Sequence, residues 1–222
     1  IVYPNRKRGP MAGKIVTIAQ QKGGAGKTTV SVHLAVAWAA MKGKSVALVD
    51  VDPQGSLGEW FEARERAFGE DRAGLEFRTA SGWGARREAQ RLTRDFDFVV
   101  VDTPPHADLD AKPAIEAADL VVIPVQPTPV DLWATRSTLE LLGESGPGGV
   151  IVLNRVPPRG RLTGEMTEAI QEFGGDIAKS TLGNRILYAS YLGEGLTAME
   201  KARTSKAALE VEALAKEIAA RL

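Results

Sequence analysis

The stretch Lys22-Gly23-Gly24-Ala25-Gly26-Lys27-Thr28-Thr29 decides the fold. Ahead of it, the apolar run Ile15-Val16-Thr17-Ile18-Ala19 has the continuity of a buried strand. Behind it, Val30, Leu34, Trp38 and Met41 recur at helical spacing. A strand, a glycine-rich loop and a helix in that order make a cradle for phosphate. The glycines let the backbone turn its N–H groups inward, and the helix N-terminus adds partial positive charge. Lys27 is placed to reach the terminal phosphates, and the Thr28 hydroxyl to ligate Mg2+. The pattern G-x-x-x-x-G-K-[ST] is met only at its end, because its first glycine falls on Gln21. Lys22 stands directly ahead of Gly23-Gly24 instead.

Further strands follow at intervals that leave room for crossover helices. Residues 44–50 read as the second strand, ended by Pro53 and Gly55, and a helix of mixed charge runs on to about 67. Residues 75–79 alternate like a short strand, and 86–94 read as a helix whose charges form a solvated face. The run 97–102 is continuous in apolar residues, as buried parallel strands are. A short helix over 111–118, a strand over 120–125, a helix over 131–142, a turn over 143–149 and a strand over 150–153 continue the alternation. Helices over 162–173 and 204–222 complete it, with 177–182 as a last strand. The pattern predicts an α/β chain: a single-domain, doubly wound, mostly parallel sheet flanked by helices, its ligand at the carboxyl ends of the strands. Two of those ends carry aspartate, Asp50 and Asp102, beside the loop where a Mg2+ ion belongs.

The composition narrows the chemistry. The 222 residues include 28 basic and 28 acidic ones, so contact with nucleic acid rests on a local patch rather than on net charge. There is no cysteine, which excludes disulfides, thiolate catalysis and cysteine-held iron–sulfur clusters. With no apolar run long enough to span a bilayer and no signal-peptide pattern, the expected location is cytoplasmic. Residues 1–10 are basic, contain Pro4 and Pro10 and show no periodicity. They read as a non-native or disordered leader ahead of Met11 and a domain over 11–222.

The loop resembles the deviant K-G-G-x-G-K-[ST]-[ST] loop of the ParA/MinD family of ATPases, which have the P-loop NTPase fold. Val49-Asp50-Val51-Asp52-Pro53-Gln54-Gly55 resembles the family's D-x-D-P-Q-G segment, and Val101-Asp102-Thr103-Pro104-Pro105 its D-x-P-P segment. Pro124-Val125-Gln126-Pro127-Thr128-Pro129 and Asp131-Leu132-Trp133 are similar to the following loop and helix of small plasmid-type ParA proteins. The resemblance implies that Gly23, Gly24, Ala25, Gly26, Lys27, Thr28 and Thr29 bind the nucleotide phosphates. Thr28, with Asp50 and Asp102 through water, would position Mg2+. Asp52 would orient or activate the attacking water, with Lys27 on the phosphates. Lys22 would reach the phosphates of a partner subunit in an ATP-sandwich dimer, stabilising charge as an arginine finger does. Asn154 reads either as the residue that meets the adenine edge or as a turn asparagine ahead of Arg155.

From 179 to 206, five basic residues (Lys179, Arg185, Lys201, Arg203, Lys206) stand against Glu194 and Glu200. In ParA relatives such residues bind DNA without sequence preference. That makes Arg185 and Lys206, with Lys201 and Arg203, the candidates here, against a scatter of solvated charges. The implied function is an ATP-dependent homodimer that binds non-specific DNA, associates with the nucleoid, positions a cargo and is stimulated by an adaptor protein. A MinD-like membrane-surface ATPase is the main alternative. It needs a basic amphipathic C-terminal helix, whereas the polar face of 209–222 is balanced in charge. An ATP-dependent metabolic enzyme is the other, but His33, inside the first helix, and His106, after Pro105, form no catalytic pair.

Overall fold

The computed structural model describes residues 12–70, 73–105, 111–143, 146–158 and 161–222. The leader over 1–10, Met11 and His106 lie outside them. The elements run β1 (Lys14–Ile18), α1 (Lys27–Ala39), β2 (Val46–Asp50), α2 (Ser56–Phe68), β3 (Glu76–Thr79), α3 (Gly82–Leu92) and β4 (Phe98–Asp102). Then come α4 (Lys112–Glu116), β5 (Leu120–Val125), α5 (Pro129–Leu142), β6 (Gly148–Leu153), α6 (Arg161–Glu172), α7 (Leu187–Ser190), a 3-10 turn (Leu192–Glu194), α8 (Ala198–Lys201) and α9 (Lys206–Ala220).

All pairings are parallel, in the order β3-β2-β4-β1-β5-β6. β1 lies between β4 and β5: the chain lays β2 and β3 on one side, returns to insert β4 beside β1, and then crosses to the other side for β5 and β6. The crevice at that switch point opens beyond the carboxyl end of β1, where the glycine loop leaves the sheet. Register sets what surrounds it: Asp102 pairs with Ile18 on one side and with Asp50 on the other.

One face of the sheet is covered by α1, α2 and the C-terminal helices through Val30, Leu34, Trp38, Leu57, Val211 and Leu214. The other carries α3 to α6 through two smaller clusters. Trp38 stacks on Phe98 at 4.5 Å and donates its indole N–H to Ala215 O at 2.9 Å, which ties α1 to α9. The apolar stripe of α9 (Val211, Leu214, Ile218) is buried in this layer. A membrane-binding helix would need it free.

The segment over 177–182 is not a strand. It makes one isolated bridge to β6, Ile177 to Ile151, and the next bridge lies beyond both, Gly183 to Val156. The reason is local: the Glu217 carboxylate of α9 accepts the N–H groups of Lys179 and Ser180, both at 2.8 Å, and takes them out of any ladder. The helix expected from 86 begins earlier, at Gly82, and α9 begins at Lys206, because the Ser205 side chain caps it by accepting from Ala208 N.

His33 is 2% exposed within α1. Its Nδ1 donates to Thr29 O at 2.8 Å, while Nε2 has no partner and the ring meets Tyr188 edge-on. Burial lowers its pKa from 6.5 to about 4. The unfolded chain therefore takes up a proton first on acidification. His33 contributes stability above pH 6.5 that is lost as pH falls towards 4, on the order of 3 kcal/mol. His33→Leu is expected to flatten that part of the acid limb in urea melts. A limb of unchanged slope would remove His33 as its source.

Candidate functional site

Gly24 and Gly26 hold φ of +77° and +95°, a region closed to most side chains, and Gly26 is the residue from which α1 starts. The loop is fastened from three sides. Asn154, at the end of β6, donates from Nδ2 to Ala25 O at 2.8 Å and accepts from Arg155 N at 2.9 Å. Gln126 donates to Gly24 O at 2.8 Å. Lys27, 7% exposed, folds back to Gln20 O at 3.1 Å, and burial lowers its pKa against the pull of Asp102 and Asp52. Asn154 thus braces the loop, a role that neither sequence reading gave it.

The carboxylates divide the work around the loop. Asp102 is 1% exposed. Its Oδ2 accepts the Thr28 hydroxyl at 2.7 Å and its Oδ1 the Ser31 hydroxyl at 2.9 Å. Burial pushes its pKa up to about 7, against those two hydroxyls. Asp50 accepts from Asp52 N at 3.0 Å and Gly58 N at 3.1 Å, so it braces the turn between β2 and α2. Burial raises its pKa too. Asp52 caps that turn by accepting from Gln54 N at 2.9 Å and faces the cleft. Loop, Asp52 and α2 enclose a cleft of about 800 Å3 that also touches Arg155, the one described non-glycine residue at positive φ (52°).

This donor set fits a nucleotide with Mg2+. A glycine loop that opens a helix and a buried lysine suit phosphate, and a threonine hydroxyl beside a carboxylate suits a hard cation. No group of three or more His, Cys, Asp or Glu able to hold a metal occurs among the described residues. The ion would therefore take its other ligands from phosphate oxygens and water, as Mg2+ usually does.

Residues 16–198 match the CobQ/CobB/MinD/ParA nucleotide binding domain. The chain belongs to this family. The Maintenance of carboxysome distribution protein A of Halothiobacillus neapolitanus is 31% identical over 211 residues, which span 91% of this chain and 95% of that one. The fold is shared with the cell division ATPase MinD of Pyrococcus furiosus, at TM-score 0.79 and 23% identity over 95% of this chain and 100% of that one. It is shared also with pNOB8 ParA bound to nonspecific DNA, at TM-score 0.68 and 20% identity over 94% and 98%.

In this ParA/MinD-type chain Lys22 does not touch the phosphate cradle with its own ammonium. Nζ lies 2.6 Å from Asp131 Oδ2 in α5, and the Asp131 side chain is fully buried, with Oδ1 unpartnered. Ser31 and Gln20 are site residues that sequence reasoning did not single out, and Asp131, quoted there only as part of a family-like helix, was given no role at the site. Gln20 is buried and bonds to Thr135 and Thr138 of α5.

The late basic residues are not one uncommitted patch. Arg185 gives its guanidinium to Glu210, which also accepts from Tyr188 and Gly183 N. Lys201 lies 3.7 Å from Glu194. Arg203 and Lys206 are exposed, with no carboxylate within 4.0 Å among the described residues.

Proposed function

We propose that this chain is an ATPase whose ATP-bound form pairs with a second copy, binds DNA without sequence preference and positions a large protein body along it. The observation that carries this reading is Lys22. A lysine one residue ahead of the glycines, 31% exposed and paired with Asp131 at the edge of the cradle, supports a reading in which it gives up that pair for a partner's phosphates when ATP joins two copies. Val130 and Trp133, 53% and 68% exposed on the first turns of α5, give the same edge an apolar surface for a partner to cover. The full-length relative that acts on carboxysome distribution favours a protein microcompartment as the cargo.

In this reading the N–H groups of Gly23 to Thr29 and the Lys27 ammonium bind the phosphates. Thr28 and Asp102 hold Mg2+, which when bound neutralises phosphate charge. Asp50 acts by fixing the turn that carries Asp52. Asp52 orients the attacking water and accepts its proton. Lys22 of the second copy stabilises the charge that builds on the transferred group, so pairing gates hydrolysis and intrinsic turnover is slow until an adaptor protein stimulates it.

The test is size and turnover together. Wild type is expected to be a dimer with ATP and a monomer with ADP in sedimentation. Asp52→Ala is expected to remain dimeric with ATP and to lose about 10² to 10⁴ in turnover, the range of a general base. A monomer in both nucleotides, or undiminished turnover in Asp52→Ala, would overturn the reading.

A further inference from the structure

α3 buries Gly82, Ala85, Ala89 and Leu92 against the sheet. Residues of a helix advance by about 100° each, so the opposite face gathers Trp83, Arg87, Gln90 and Arg91, with Arg86 on its flank, and Arg94 in the turn beyond continues it. Trp83 is 84% exposed, the most of any large apolar side chain among the described residues. The arginines are largely uncommitted. Arg86 approaches Glu116 only at 4.0 Å, with both side chains about half exposed. Arg87 and Arg94 are exposed and have no carboxylate within 4.0 Å among the described residues. Arg91, by contrast, is held by Glu88 through two hydrogen bonds of 2.7 and 3.2 Å.

A face that serves only solubility mixes signs and hides its indoles. On α3 itself the one acidic side chain, Glu88, is taken up by Arg91, and a tryptophan is left in water. The guanidinium fork matches phosphate oxygens in two hydrogen bonds at once. A flat indole beside it packs on the sugar edges between phosphates. Arg87 and Arg94 are seven residues apart, about 10 Å along the axis, or about three base-pair steps of duplex DNA. Charge and spacing complement a nucleic-acid backbone.

From this we infer that α3 is the face by which the chain holds the backbone of duplex DNA, with Arg86, Arg87 and Arg94 on phosphates and Trp83 on sugars. The inference rests on the DNA-binding reading above and relocates the contact. α3 lies on the sheet face opposite α8 and α9, so this surface is separate from Arg203 and Lys206. Phosphate contacts carry no sequence information, so no base preference is expected.

The experiment is anisotropy of a labelled random-sequence duplex with ATP, at a series of salt concentrations. Wild type is compared with Arg87→Glu/Arg94→Glu, with Trp83→Ala and with Arg203→Glu/Lys206→Glu. All variants are first checked for wild-type melting temperature and ATP affinity. The α3 charge variant is expected to lose at least about tenfold in affinity, and its log–log salt slope to flatten by about 2, at 0.9 per phosphate contact. Trp83→Ala is expected to weaken binding several-fold with the slope unchanged. The late-segment variant is expected to stay close to wild type. Wild-type affinity and slope in the α3 charge variant would overturn the inference. If the late-segment variant alone lost binding, the DNA reading would stand and α3 would fall. No duplex binding by wild type with ATP would sink both.

Discussion

Lys22→Ala is expected to lower ATP turnover by about 10³-fold, the lower end of what a cation supplied from outside the pocket contributes to phosphoryl transfer. ATP should still bind. The same variant is expected to melt early. Its ammonium lies 2.6 Å from an Asp131 carboxylate that is fully buried, so removing it leaves a charge uncompensated. That costs about 3 kcal/mol. Lost turnover in the single variant therefore has two explanations, a damaged fold and a missing cation. Lys22→Ala/Asp131→Asn separates them. The neutral amide removes the unpaired charge and stays within reach of Thr128, which also bonds to Asp131. The double variant is expected to regain the melting temperature while turnover stays low. If turnover returned together with stability, Lys22 would be a structural partner of Asp131 and its action on a second copy would be lost.

The pairing of Lys22 with Asp131 also shows where sequence reasoning stops. The loop, the strand ends and the parallel sheet were legible because each is written locally, in glycines, in apolar runs and in aspartates that close them. Asp50 and Asp102 could both be placed at the carboxyl edge beside the loop from those runs alone; that they stand opposite each other came only with the register. What joins residues far apart in the chain was not legible. Asp131 lies 109 positions from the lysine it holds, and Glu210 lies 25 from Arg185. Nothing around Arg185 signals that its charge is already taken. The 177–182 segment has the apolar content of a strand, yet Glu217, 38 residues on, captures the amide of Lys179. The charges of α3 read as a solvated face, and they are exposed; what the sequence did not show is that the packing of Ala85, Ala89 and Leu92 puts Trp83 on the same outer side.

Gly26→Ala is expected to lower ATP affinity by at least about 10²-fold, and Gly24→Ala by about tenfold, although both glycines sit at positive φ. An L-residue in that region costs about 1–2 kcal/mol, and this is common to the two positions. A methyl on Gly24 meets nothing within 4 Å, so strain is the whole effect there. A methyl on Gly26 would stand 2.4 Å from Asn154 Nδ2. The Asn154 side chain cannot swing out freely, because it is 3% exposed and donates to Ala25 O at 2.8 Å. Accommodating the methyl breaks that bond inside the fold, which adds about 1–3 kcal/mol and releases the loop from β6. Calorimetric titration with ATP reads both variants, and Gly26→Ala/Asn154→Ala completes the set. With the amide gone the collision goes too, and the loss should shrink towards that of Asn154→Ala plus strain. Equal losses at Gly24 and Gly26 would mean that φ alone governs the loop and that Asn154 does not hold it.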